Sequence, residues 1–241
     1  MSKIILISLL RIVIILPFIL ILLKKYNRIN FERITIFIFC YVGYVFVLSL
    51  PSLNKSIDII GGNWNWTGKI FGIIWAIICY FIFKKYFAEN DFFTIKQDKK
   101  NFKKASIVAV AIAILSIIIV FFVGKFDFDF ETLAYQLTVP GIGEEIIYRG
   151  ILLGLLMTSL KDKIPFLGNP AVLLTAVLFG FGHGLSMDKN YSIDFNPLYF
   201  MQTGFAGYIW GWITMKSRSV LLAILSHNFG NFFGALSAML K

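Results

Sequence analysis

Glu144, Glu145 and Arg149 stand in GEEIIYRG (residues 143–150), between TLAYQLTVPGI and ILLGLLM, two stretches that carry no other charge. The two histidines of the chain, His183 in FGFGHG and His227 in SHNFGNF, have similarly apolar neighbours, and Asn228 and Asn231 follow the second. Helix spacing says which of these can act together. Glu145 and Arg149 are four apart with the acid first, the favourable order for a pair on one face. Glu144 points about 100° away and has no local partner, and an unpaired buried carboxylate is poised for proton transfer near neutral pH. Phe179 and His183 share a face, as do His227 and Asn231, and the last two can donate hydrogen bonds to one developing oxyanion. A carboxylate, two imidazoles and an amide make a hydrolytic site: Glu and His to activate water, donors to hold the tetrahedral intermediate. One Glu and two His can equally ligate zinc with a position left open for water, although the HExxH spacing of soluble zinc proteases is absent. Each feature also has a blander reading. The acids and Arg149 suit a packing ion pair, His183 a hydrogen-bonded packing residue, and His227 with Asn231 interhelical glue. Asn228 points elsewhere and reads as structural, and Gln202 and Thr203 read as packing.

The elements that must position these groups are membrane helices. Of 241 residues 58% are hydrophobic and 15% charged, where ordinary globular domains are about 25% charged, and mean hydropathy is +0.79. Against a ruler of roughly 20 apolar residues per span, spans fall at 4–23, 34–51, 68–87, 106–124, 132–160, 169–186, 196–215 and 219–240. The expected fold is all-α, a polytopic transmembrane bundle of about eight helices forming a single integral membrane domain over 1–241, with no linker and no internal repeat. The first run has a lysine before it, but it is too long for a signal h-region and lacks a cleavage site. Cys40 and Cys79, both in apolar runs, read as free thiols.

Alternate loops then separate fifteen Lys and Arg on one side from six on the other. The richer side is expected to be cytoplasmic and both termini outside. The net charge of +10 therefore reads as topology and as anionic lipid at the basic cytoplasmic loops, above all 88–105, and not as nucleic-acid binding. NWNW (63–66) and FDFDF (126–130) read as headgroup anchors on the other side. Glu144 and Glu145 are the only acids counted inside spans, and the histidines lie in the sixth and eighth. Buried ionisable groups face the bundle interior, so the fifth, sixth and eighth helices are expected to turn toward one cavity.

Taken jointly, these motifs resemble the CPBP family of intramembrane peptidases, the CaaX proteases and bacteriocin-processing enzymes also called the Abi family. The family pattern is EExxxR, then FxxxH, then HxxxN or HxxxD. Here it stands as Glu144, Glu145 and Arg149, then Phe179 and His183, then His227 and Asn231. The resemblance covers about 130–240, a CPBP-like catalytic core within the chain. It implies an endopeptidase in which Glu144 and His183 activate water, His227 and Asn231 stabilise the oxyanion, and Glu145, Arg149 and Phe179 support them. It also implies a substrate that is a membrane-associated peptide or protein, CaaX-like or leader-type, and a multi-pass location in a prokaryotic plasma (inner) membrane. Both a metal-free mechanism and a zinc mechanism, the latter on Glu144, His183 and His227, are described for such enzymes. The metal-free one is the expectation, because no second carboxylate or cysteine is placed to complete a tighter site. The rival functions are a non-catalytic membrane scaffold of the same fold and a proton-coupled transporter, for which buried Glu, His and Arg are also typical.

Overall fold

The structure, a computed structural model, describes residues 2–241. Helix α1 (Ser2–Ile21) is followed by α2 (Arg28–Leu53), which Asn27 begins by accepting from the Asn30 amide, and by α3 (Trp66–Phe83), begun in the same way by Asn65 and Gly68. After α4 (Phe102–Val123) come the shorter pieces α5 (Phe130–Leu137) and α6 (Val139–Glu145), a π-helical segment (Ile146–Leu152) and α7 (Leu153–Ser159). Helices α8 (Pro170–Gly184) and α9 (Pro197–Ser217) each start with proline just after an asparagine cap, Asn169 or Asn196. Proline is pre-set for the first helical turn, and the asparagine side chain satisfies amides that would otherwise be orphaned. Helix α10 (Leu221–Met239) ends the chain. Between α8 and α9, β1 (Leu185–Met187) and β2 (Ile193–Phe195) form a two-stranded antiparallel hairpin.

Helix thus occupies all eight expected spans, with two departures. The first is that, among the described residues, only Lys3–Ile21, Arg28–Leu53, Trp66–Tyr86 and Phe102–Val123 are both long and apolar enough to cross a membrane. The C-terminal helices are short, broken or more polar because they carry the polar residues of the site and turn them toward one another. The second is that 132–160 is not one continuous α-helix. The chain kinks at Thr138 (φ −116°, ψ −83°), where Pro140 offers no amide and restarts the helix. Asn228 fills the gap in backbone pairing: its Oδ1 accepts from the Gly141 amide at 2.8 Å and its Nδ2 donates to the Thr138 carbonyl at 2.8 Å. A side chain on Gly141 would collide with that Asn228 oxygen, 2.4 Å from the Cβ position.

Packing fixes the remaining geometry. Helices α8 and α9 approach closely at Gly180 and Gly184, whose Cβ positions lie 2.8 and 2.6 Å from the Phe200 carbonyl oxygen and Cβ. Helix α10 lies on α4 through Gly230 and Gly234. Helices α2 and α3 cover the broken fifth stretch, and Ile15 and Ile19 of α1 join Phe37, Tyr41, Ile147, Ile151 and Leu152 in one apolar core. Cys40 and Cys79 are free and buried. The basic 84–101 stretch is tied to the bundle by buried Phe87 and Phe92, and by Arg218 donating to the Glu89 carbonyl. The tryptophans expected to anchor in headgroups are also held to α5: Trp64 stacks on Tyr135 at 4.7 Å, and Glu131 accepts from the Asn63 and Trp64 amides and from the Trp66 indole.

Candidate active site

Glu144 at the end of α6, His183 near the end of α8 and His227 on α10 meet at one wall of a cavity of about 810 Å³. Glu144 Oε2 lies 3.9 Å from His183 Nε2 and 4.0 Å from His227 Nε2. Its other oxygen, Oε1, accepts from the Lys69 ammonium of α3. The expectation that Glu144 has no partner is therefore corrected. No partner is available on its own helix, but α3 packs alongside α6 and supplies one.

Glu145 and Arg149 are both fully buried and paired at 3.2 Å. Glu145 Oε1 also accepts from His227 Nδ1 at 2.9 Å. Arg149 donates onward to the Gly207 carbonyl at 3.1 Å and lies over the Phe179 ring, its guanidinium carbon 4.5 Å from the centroid. The Cβ position of Gly207 is 2.9 Å from Arg149 Nη2, so the absence of a side chain on α9 admits the guanidinium. With these partners the buried charges cancel in two pairs, Lys69 with Glu144 and Arg149 with Glu145, the condition under which buried ions are tolerated.

The two imidazoles are set in the same sense, each with its proton on Nδ1. His183 Nδ1 is 2.9 Å from the Phe179 carbonyl, which can only accept, so the proton sits on Nδ1 and Nε2 presents a lone pair toward Glu144. His227 Nδ1 faces the Glu145 carboxylate, again an acceptor, so Nδ1–H donates there and a donor at Nε2 requires the imidazolium. The His227 ring stacks on Trp210 (4.0 Å, 8°), which fixes its plane. Phe179 packs against the His183 ring at 4.4 Å. The Asn231 side chain lines the same cavity and makes no hydrogen bond among the described residues. Asn228 lies outside it in the backbone repair described above. Gln202 and Thr203, read from sequence as packing, line the cavity wall.

The zinc alternative can be tested on this donor set. Glu144 would have to ligate with an ammonium already bonded to it, a charge that repels a dication. Among the described residues no group of three His, Cys, Asp or Glu side chains is disposed to hold a metal ion. The residues do not fit zinc, and no step below passes through it.

Two ionisable groups escaped the sequence reading. Lys69 falls one residue inside the third expected span, and Arg11 in the middle of the first. Arg11 is buried and donates to the Leu185 carbonyl, where the hairpin leaves α8 two residues after His183. The signal for both was available: a cation inside an apolar run demands a partner. The rest of the lining is largely apolar, with Ile112, Leu115 and Ile119 from α4 and Met201 and Phe205 from α9.

No curated protein and no solved structure matches the chain. Residues 127–233 match a family model, described as Rce1-like, Type II CAAX prenyl endopeptidase Rce1-like. That stretch carries Glu144, Glu145, Arg149, Phe179, His183, His227 and Asn231, and its similarity to the Rce1-like model supports the resemblance to the CPBP family indicated by the motifs.

Proposed function

We propose that this membrane protein is an intramembrane endopeptidase of the CAAX type, in which a water held by Glu144 and His183 attacks the scissile carbonyl. The observation that carries the reading is the approach of Glu144 Oε2 to both imidazole Nε2 atoms. A water about 2.8 Å from Glu144 Oε2 and from His183 Nε2, ordinary hydrogen-bond lengths, bridges their 3.9 Å separation at a near-right angle. Both groups accept, so the water spends its two hydrogens on them and turns a lone pair outward. As the C–O bond forms, Glu144 takes one proton. The carbonyl electrons move to oxygen, where the His227 imidazolium Nε2–H and the Asn231 amide donate to the oxyanion. Glu145, itself paired with Arg149, accepts from the Nδ1–H of the same ring. Collapse expels the amine, which leaves with the proton that Glu144 received.

The cavity suits a peptide with apolar residues, or an apolar attachment, beside the scissile bond, because α4 and α9 line it with aliphatic and aromatic side chains. A membrane-associated substrate, CaaX-like or leader-type, meets that requirement. With the Lys- and Arg-rich loops taken as cytoplasmic and resting on anionic lipid, the Trp64 end of the cavity lies toward the outer face. The catalytic core is assigned to about 130–240.

The test is turnover by purified protein of a quenched fluorescent peptide with an apolar C-terminal segment. Glu144→Gln is expected to abolish cleavage at temperatures well below its own melting temperature while leaving expression near wild type. Normal turnover by that variant would refute the assignment.

A further inference from the structure

Lys69 sits in the first turn of α3, the only charged residue of WTGKIFGIIWAIICYFIF, and outside the stretch that matches the family model. Its side chain is 11% exposed, and its ammonium is bonded to Glu144 Oε1. The base of the lysine is fixed. Asn65 caps the turn by accepting from the Gly68 amide, and Gly68 lies so close to α2 that its Cβ position is 2.2 Å from the Leu48 carbonyl oxygen. The other buried cation near the acids, Arg149, is engaged with Glu145 and the Gly207 carbonyl. A glutamate carboxylate turns about a broad terminal torsion, so nothing intrinsic to the side chain fixes the carboxylate plane or aims an oxygen at the histidines.

We propose, building on the peptidase reading above, that Lys69 is a positioning residue: by holding Glu144 Oε1 it commits Oε2, and the water it binds, to the space between His183 and His227. Lys69 touches neither water nor peptide in this scheme and acts through the orientation of Glu144. Its removal lowers kcat and leaves substrate binding intact. An anchor for a substrate carboxylate would behave in the opposite way, raising KM at unchanged kcat.

The experiment compares wild type with Lys69→Met and Lys69→Arg in the peptide assay. It adds a double-mutant cycle of Lys69→Met with Glu144→Gln read by thermal unfolding. Lys69→Met is expected to lose about 100-fold in kcat, the scale of a reacting group displaced by about an ångström, with KM changed by less than roughly two-fold. Lys69→Arg, which keeps the charge and donors, recovers most of the loss. The cycle shows a favourable coupling between the two positions. Should Lys69→Met fail to fold, Lys69→Gln, which is shorter by one atom and keeps a donor but no charge, replaces it in both measurements. Unchanged kcat, a loss confined to KM, no recovery by arginine, or no coupling overturns the proposal. Coupling in a wild-type protein that cleaves nothing defeats the peptidase reading, and the positioning role with it, while leaving the ion pair established.

Discussion

Replacing Arg149 by leucine tests whether the charge pairing around Glu145 holds the bundle together. Both partners are wholly buried, so the variant leaves Glu145 with only the His227 Nδ1–H bond and removes a guanidinium that lies 4.5 Å over Phe179. Breaking a buried pair from one side costs about 3–5 kcal/mol, because the surviving charge is uncompensated. For a chain of this size each kcal/mol moves the melting temperature by about 2–4 °C, so a fall of roughly 6–20 °C is expected. The assay is thermal unfolding in detergent at neutral pH. The discriminating comparison is Glu145→Leu together with Arg149→Leu. Removing both charges replaces an ion pair by apolar packing, which is often neutral or better, and leaves as its main cost the unsatisfied His227 donor, about 1–3 kcal/mol. The double variant should therefore melt above Arg149→Leu. A single variant within about 1 kcal/mol of wild type, the worth of an exposed pair, or a double variant no better than the single, would refute the reasoning.

Gly184→Ala puts a methyl group 2.6 Å from Phe200 Cβ and 2.8 Å from its amide nitrogen, and overpacking of this kind costs about 1–3 kcal/mol. The melting temperature and the turnover should fall together, because His183 is the adjacent residue. Gly204→Ala, where the nearest atom is 3.7 Å away, should be silent in both assays. Asp129 supplies a pH test. The Thr132 hydroxyl and amide, with the Glu131 amide, donate to its carboxyl and hold it below the usual carboxylate range. Its contribution is then fully present above the unfolded value, about 3.9, and is lost as pH falls through the lower folded value. Asp129→Ala should melt below wild type at neutral pH, with the difference closing on acidification below about pH 4. A difference independent of pH would count against the cap.

The helices were legible because apolar runs of span length have few alternatives, and the pairs at four-residue spacing were legible because one helical turn brings them together whatever lies around them. Glu145 with Arg149, and Phe179 with His183, are of this kind. The break at Thr138 was signalled by Pro140 and its flanking glycines, but its repair by Asn228 lies 87 residues from Gly141 and has no local mark. The π-helical widening at Ile146–Leu152 is a matter of hydrogen-bond offset, to which composition is blind, and such widenings gather at functional sites. Lys69 stayed hidden for a different reason. A lysine one turn inside a span can snorkel to the headgroups or reach inward, and only the neighbouring helix decides. The same ambiguity covers Trp64, since a ring that suits the interface also suits the side of α5.

The clamp that Glu131 places on the NWNW turn bears on how this protein can be cut or recombined. It fastens the loop before α3 to the first turns of the segment that carries the motifs, so the ancestry of the two halves cannot be shuffled freely. A chimera that keeps residues 127–233 and borrows its leading helices from a distant relative would have to import matching donors for Glu131, a ring for Tyr135 and a cation for Glu144 in one step. Exchange at this seam is thereby a correlated event, and the diversity of the leading helices is bounded by what that single turn must hold.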